Sequence, residues 1–220
     1  SPPSVVSVSI SPDGPTVEDS LLCEYTGFAD PDGDSDESTF SWSINGAYAG
    51  SGSSLASGFI RGDEVSCVVT PHDGMDAGSP LSSSVDVQNT PPRITGVTIS
   101  PDPAVTGDVL TCSWSGFTDP DGHGDESTVQ WFVNDEPVST EASIDVGFVH
   151  GDTIRCEVTP FDGLDTGTTL EDAITVSNTL PEITGVTIDP DPAVIGDTLT
   201  CSWSGFSDAD GDEDASTVEW

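Results

Sequence analysis

Lysine is absent from this chain, and Arg61, Arg93 and Arg155 are its only arginines, against 40 acidic residues and a formal net charge of −37. Such a surface repels nucleic acid and anionic membranes. Without lysine, intramolecular Lys–Asn isopeptide cross-links are excluded as well. No run of about 18 apolar residues occurs, so no transmembrane helix is expected. No basic segment followed by an apolar stretch opens the chain, and no secretory leader is read in it; whatever exports the protein is expected to lie outside these 220 residues or to have been cleaved from them. No Asn-x-Ser/Thr sequon occurs, so N-linked glycans are not expected. The three histidines, His72, His123 and His150, stand beside no recurring nucleophile, so no catalytic apparatus is visible and the chain reads as a non-enzyme.

What is present is repetition. Cys23, Cys112 and Cys201 recur at a constant step, since 112 − 23 and 201 − 112 both give 89. Trp42, Trp131 and Trp220 keep the same step, as do Pro3, Pro92 and Pro181. Each proline precedes an alternating segment such as Thr95-Gly96-Val97-Thr98-Ile99. The expected repeats are 1–90, 91–179 and 180–220, with proline-stiffened junctions at Asn89-Thr90-Pro91-Pro92 and Asn178-Thr179-Leu180-Pro181. The third copy stops at its tryptophan, which reads as a window onto a longer repetitive chain.

Alternating Val, Ile, Leu, Phe and Trp distinguish these segments from a disordered acidic tail. Period-two patterning, broken by Gly, Pro, Asp and Asn clusters and without helical periodicity, predicts an all-β fold. In the second copy, strands are expected near Ile94–Ile99 (A), Val109–Trp114 (B), Val129–Val133 (C), Ala142–Phe148 (E), Thr153–Thr159 (F) and Ala173–Val176 (G). Asn45-Gly46 and Asn134-Asp135 supply turn chemistry after strand C.

Cys67 follows Cys23, and Cys156 follows Cys112, at a spacing of 44, with a tryptophan 19 residues after the first cysteine. A zinc site is the alternative use of such cysteines, but no CxxC or neighbouring histidine accompanies them. The Cys-Trp-Cys arrangement resembles an immunoglobulin-type domain. Together with Gly107-Asp108, Cys112-Ser113-Trp114, Trp131 and Gly151-Asp152-Thr153-Ile154-Arg155-Cys156, it resembles bacterial extracellular immunoglobulin-like tandem repeats of the adhesin-stalk and surface-fibre type. That resemblance implies tandem β-sandwiches of about 89 residues, a B–F disulfide in each (Cys23–Cys67, Cys112–Cys156), and Trp42, Trp131 and Trp220 packed in the cores. It implies a partner for Cys201 beyond the window. It departs from animal immunoglobulin domains where a tyrosine is common two residues before the second cysteine: Val65 and Ile154 stand there. Disulfides place the protein in an oxidising, extracellular setting.

Between strands B and C each copy carries an acidic loop. Its candidate ligands are Asp30, Asp32, Asp34 and Asp36 in the first copy, Asp119, Asp121 and Asp125 in the second, and Asp208, Asp210, Asp212 and Asp214 in the third. After strand F come Asp73 and Asp76, then Asp162 and Asp165. In a sandwich these two loops share one end, so their oxygens can converge into a shell of the kind calcium prefers. The plainer reading is a set of Asp-Pro-Asp-Gly turns with solvated charge. Clustering favours calcium, because crowded carboxylates repel one another. The loop is no EF-hand, and His123, which replaces Asp34, is expected at the periphery of the site. Oxygens from the preceding copy are expected to join through the incoming linker.

Arg61-Gly62-Asp63 spells an adhesion tripeptide, but His150-Gly151-Asp152 at the same repeat position marks it as a turn. The functional expectation is a structural component of an extracellular fibre, filament or cell-surface stalk. Its partners are neighbouring repeats of the same chain and, through self-association, further copies. The rival is an adhesin array whose loops bind carbohydrate or a host receptor.

Overall fold

The computed structural model describes all residues, Ser1–Trp220, and contains strands but no helix. In the first copy these are β1 (Ser7–Ser11), β2 (Leu21–Thr26), β3 (Thr39–Ile44), β4 (Ala47–Ser51), β5 (Ser54–Leu55), β6 (Glu64–Thr70) and β7 (Leu81–Asp86). The second copy supplies β8 (Gly96–Ser100), β9 (Leu110–Ser115), β10 (Thr128–Val133), β11 (Glu136–Ser139), β12 (Ser143–Ile144), β13 (Thr153–Thr159) and β14 (Leu170–Thr175). The third contributes β15 (Gly185–Asp189) and β16 (Thr200–Ser204).

Each of the first two copies folds as two antiparallel sheets. A three-stranded sheet runs β1-β2-β5 and a four-stranded sheet β4-β3-β6-β7, and the second copy repeats the pattern as β12-β9-β8 and β11-β10-β13-β14. The alternation that predicted the strands also sorts their faces. On β6, Val65, Cys67 and Val69 are buried, and on β13 Ile154, Cys156 and Val158. Leu21 and Cys23 of β2 join the β6 set in the first copy's core. Disulfides join Cys23 to Cys67 and Cys112 to Cys156, with Cα–Cα distances of 6.4 and 6.3 Å. Trp42 and Trp131 are fully buried. Each indole N–H still finds an acceptor, the carbonyl of Gly52 or of Glu141, both at 2.9 Å, as a buried polar group requires.

Three details depart from the sequence reading. Strand E is only Ser143–Ile144, as its counterpart is only Ser54–Leu55, and beyond it Phe148 N–H donates to the Val146 carbonyl at 2.7 Å. An additional strand, β4 or β11, follows each C strand. The hairpins leading into it turn through Asn45-Gly46 and Asn134-Asp135, all with positive φ, the geometry that matches strand twist. Trp220, expected in a core, is 76% exposed: β16 is the last strand, so these residues supply no counterpart of β6 or β13 for it to pack on. Cys201 is unpaired.

The chain divides into two compact units. The first is Ser1–Arg93 with two excursions from the second copy, Phe117–Glu126 and Pro160–Gly167. The second is Ile94–Gly116, Ser127–Thr159 and Thr168–Trp220. The two excursions hold the acidic loops of the second copy, so those loops cluster with the linker that precedes them.

Candidate metal centre

Each acidic loop is organised by its first aspartate. Asp30 Oδ1 accepts the backbone N–H groups of Asp32 and Asp34 at 2.8 and 3.0 Å. Asp208 Oδ1 does the same for Asp210 and Asp212 at 2.9 and 3.2 Å, and Asp119 Oδ1 accepts from His123 at 2.8 Å. The turn is completed by Gly33, Gly122 and Gly211, whose φ angles of 80°, 83° and 82° exclude most side chains. With Oδ1 consumed, Oδ2 of Asp30, of Asp119 and of Asp208 is buried without any hydrogen-bond partner.

The F–G loop is built alike. Asp73 Oδ1 accepts the N–H groups of Met75 and Asp76 at 2.8 and 2.6 Å, and Asp162 Oδ1 those of Leu164 and Asp165, both at 2.7 Å. The two loops of a copy are tied to each other by Glu37 N–H donating to the His72 carbonyl at 2.8 Å, and by Glu126 N–H to the Phe161 carbonyl at 2.9 Å. Two clusters result. Ligand atoms of Asp30, Asp34 and Asp73 lie within 4.8 Å of one another, and so do those of Asp119, His123 and Asp162.

Most of the remaining predicted ligands have other partners, whereas Asp212 is engaged only through its backbone N–H, which donates to Asp208. Asp32, Asp121 and Asp210 anchor the incoming chain at one equivalent place: the Ser1 ammonium donates to Asp32 Oδ2, Thr90 N–H to Asp121 Oδ2 at 2.6 Å, and Thr179 N–H to Asp210 Oδ2 at 2.5 Å. Thr106 and Thr179 hydroxyls add to Asp210, and these donors hold its carboxyl at about 2. Asp36 accepts the Tyr25 hydroxyl at 2.8 Å, and Asp214 the Trp203 indole N–H at 2.8 Å; Asp125 holds the same loop position one copy apart. Asp76 Oδ2 is 3.8 Å from the Ser1 ammonium. Asp165 accepts from Asn89 at 3.0 Å.

Two contributors hold places that the sequence reading did not give them. Asn89 donates its amide to Asp162 Oδ2 at 2.7 Å as well as to Asp165, and its Oδ1 and the Thr90 hydroxyl are buried without partners. The recurrence of Asn-Thr at 89–90 and 178–179 was the available signal, but it reads as junction chemistry until the loops are placed beside it. His123 is the second. Its Nδ1 is 3.3 Å from Asp119 Oδ1 and 3.7 Å from Asp162 Oδ2, inside the cluster rather than at its periphery. Burial pushes the Asp162 carboxyl up, but donors from Asn89, Asp165 and Leu164, with His123 beside it, outweigh that and bring it to about 2. Backbone N–H groups of Asp76 and Met75 hold the Asp73 carboxyl below its ordinary value.

The adhesion-like tripeptide is a turn. Asp63 Oδ1 accepts from Asn45 at 2.7 Å and Oδ2 from Ile60 N–H at 2.8 Å, and Asp152 repeats both bonds with Asn134 and Val149.

No protein-family model matches the chain, and no curated protein matches it. Among solved structures, a two-domain fibronectin type-III segment from chicken tenascin is similar at 13% identity and a TM-score of 0.41, covering 77% of this chain and 98% of that one. Fibronectin(III)-like modules of Clostridium thermocellum CbhA are similar at 16% identity and a TM-score of 0.32, covering 78% and 94%. The β-sandwich assignment rests on the strand order and disulfides above.

Proposed function

We propose that this chain is a structural segment of an extracellular fibre or cell-surface stalk, made of disulfide-stapled immunoglobulin-like repeats whose acidic loop ends hold cations. The repeats divide at 90/91 and 179/180. Calcium occupies the all-carboxylate shell of Asp30, Asp34 and Asp73, and it ties the B–C loop to the F–G loop. The observation that carries this reading is the buried, unpartnered Oδ2 of Asp30, repeated at Asp119 and Asp208. A turn needs one oxygen of that aspartate, and Oδ1 supplies it. Burying a second, ionised oxygen with no donor is costly unless a cation faces it. Oxygen donors from several carboxylates are what calcium takes.

Thermal melting and small-angle scattering of the chain, in calcium and in excess chelator, test this. Calcium at a hundred times its dissociation constant adds about 2.7 kcal/mol to the stability of the domain that binds it, so the melting temperature rises with calcium. Asp30→Asn removes the rise in the first repeat. Melting curves and scattering profiles that chelator leaves unchanged would refute the calcium-held array.

A further inference from the structure

The two metal clusters are not chemically equivalent. At the position where the first copy has Asp34, the second has His123, and this single exchange turns a set of three carboxylates into two carboxylates and an imidazole. We propose that Asp119, His123 and Asp162 form a mixed nitrogen–oxygen site that takes a borderline divalent transition cation of the zinc class, distinct in preference from the calcium shell of the first copy.

Three observations support it. The Asp119 side chain is only 1% exposed and that of Asp162 is 0% exposed. Two carboxylates shut away from water at this separation repel unless a positive charge stands between them. Second, Asp119 Oδ2 and His123 Nδ1 are both buried and without a hydrogen-bond partner. An imidazole nitrogen that faces two carboxylates and makes no hydrogen bond to either is placed to ligate a cation in its unprotonated form. Third, the spacing fits. A tetrahedral ion with bonds of about 2.0–2.2 Å holds its ligand atoms roughly 3.3–3.6 Å apart. Nδ1 lies 3.7 Å from Asp162 Oδ2 and 3.3 Å from the Asp119 carboxylate, measured to the oxygen that also serves the turn, and one ligand atom from each of the three residues lies within 4.8 Å of the others.

The donor chemistry selects the ion. Imidazole suits zinc and its neighbours, whereas calcium takes oxygen donors and six to eight of them. Three protein ligands leave a fourth tetrahedral position for water. The His123 side chain is 27% exposed, which opens a path for entry. Asn89, whose amide holds Asp162 Oδ2 at 2.7 Å, orients that ligand as outer-shell partners do.

The test exchanges residues between copies. Chelator-stripped protein is titrated with zinc chloride by calorimetry and with cobalt chloride by visible absorption, each in the presence and absence of excess calcium. The expected result is one zinc equivalent that calcium does not displace, and a cobalt spectrum of tetrahedral type. His123→Asp, which installs the residue of the first copy, lowers zinc affinity at least about tenfold. His72→Phe and His150→Arg, which also install residues found at the equivalent positions, leave it unchanged. Asp34→His creates a second zinc equivalent in the first copy, and this gain does not depend on whether any loss-of-function variant folds. Histidine NMR resonances report the same event directly, with zinc shifting His123 and sparing His72 and His150. Equal zinc affinity in the parent and His123→Asp proteins, or a zinc response centred on another histidine, overturns the assignment. Calcium binding by Asp30, Asp34 and Asp73 is scored in the same titrations, so failure of the zinc site is distinguishable from failure of the calcium reading.

Discussion

Removing the disulfide of one repeat tests the link between the repeat core and the loop end. The Cys112–Cys156 bond closes a chain segment of 44 residues, and the chain-entropy relation gives about 4 kcal/mol for a loop of that length. Cys112→Ala/Cys156→Ala, made in a Cys201→Ser background to prevent thiol exchange, is therefore expected to lower the stability of the second repeat by about 4 kcal/mol. In a domain of 60–100 residues that is roughly 15–30 °C in melting temperature. The Cys23–Cys67 repeat is the internal reference, so urea unfolding followed by circular dichroism should change from one transition to two, with only the earlier moved. Cys156 lies on β13, six residues before Asp162, as Cys67 on β6 lies six before Asp73. The same strand thus carries the bridge and delivers an F–G carboxylate, and metal binding at Asp162 should weaken in the variant while that at Asp73 persists. A loss below about 1 kcal/mol, or an unsplit transition, would refute the reasoning, because it would mean that the bridge constrains little in the unfolded chain.

Two further expectations concern the loops. A side chain at Gly167 would place its Cβ 1.8 Å from the Pro92 carbonyl oxygen, backbone that no rotamer change can clear, so Gly167→Ala should cost about 1–3 kcal/mol by urea unfolding; a neutral substitution would contradict the described packing. Asp210 is brought to about 2 from an ordinary 3.8 by Thr106 and Thr179. A carboxyl whose folded value is depressed contributes stability in full above its unfolded value, and that contribution is lost as pH falls through the folded one. Stability should therefore drop between about pH 4 and pH 2, and Asp210→Asn should flatten the drop; identical pH slopes in acid titrations of the two proteins would exclude the anchor.

Much of this arrangement is legible in the residues. The step of 89 fixes which positions correspond, and alternation on β6 and β13 fixes which of them face inward. The cysteines are found paired as the immunoglobulin resemblance implies. The added strands β4 and β11 were not legible, because their large apolar residues face solvent, Tyr48 73% exposed and Val138 40% exposed, and only the small Ala49 of β4 packs on the core. They are recruited by hairpin geometry and edge pairing instead. Nor could composition separate the roles of the aspartates, since every member of Asp30-Pro31-Asp32-Gly33-Asp34 reads as one acidic loop.

The structure separates them by what each oxygen does. The first aspartate spends one oxygen on the turn and keeps the other buried and bare; the second accepts the backbone of the incoming chain; Asp36 and Asp214 hold an aromatic side chain of strand B or its counterpart. This division bears on how a chain with a net charge of −37 folds at all. Carboxylates engaged by N–H and O–H donors stay ionised at little cost, because the donors replace water. Carboxylates still crowd one another in the clusters of Asp30, Asp34 and Asp73 and of Asp119 and Asp162. On the proposed reading a divalent ion relieves the repulsion within each of these clusters, and its preference turns on one position, Asp34 in the first copy and His123 in the second.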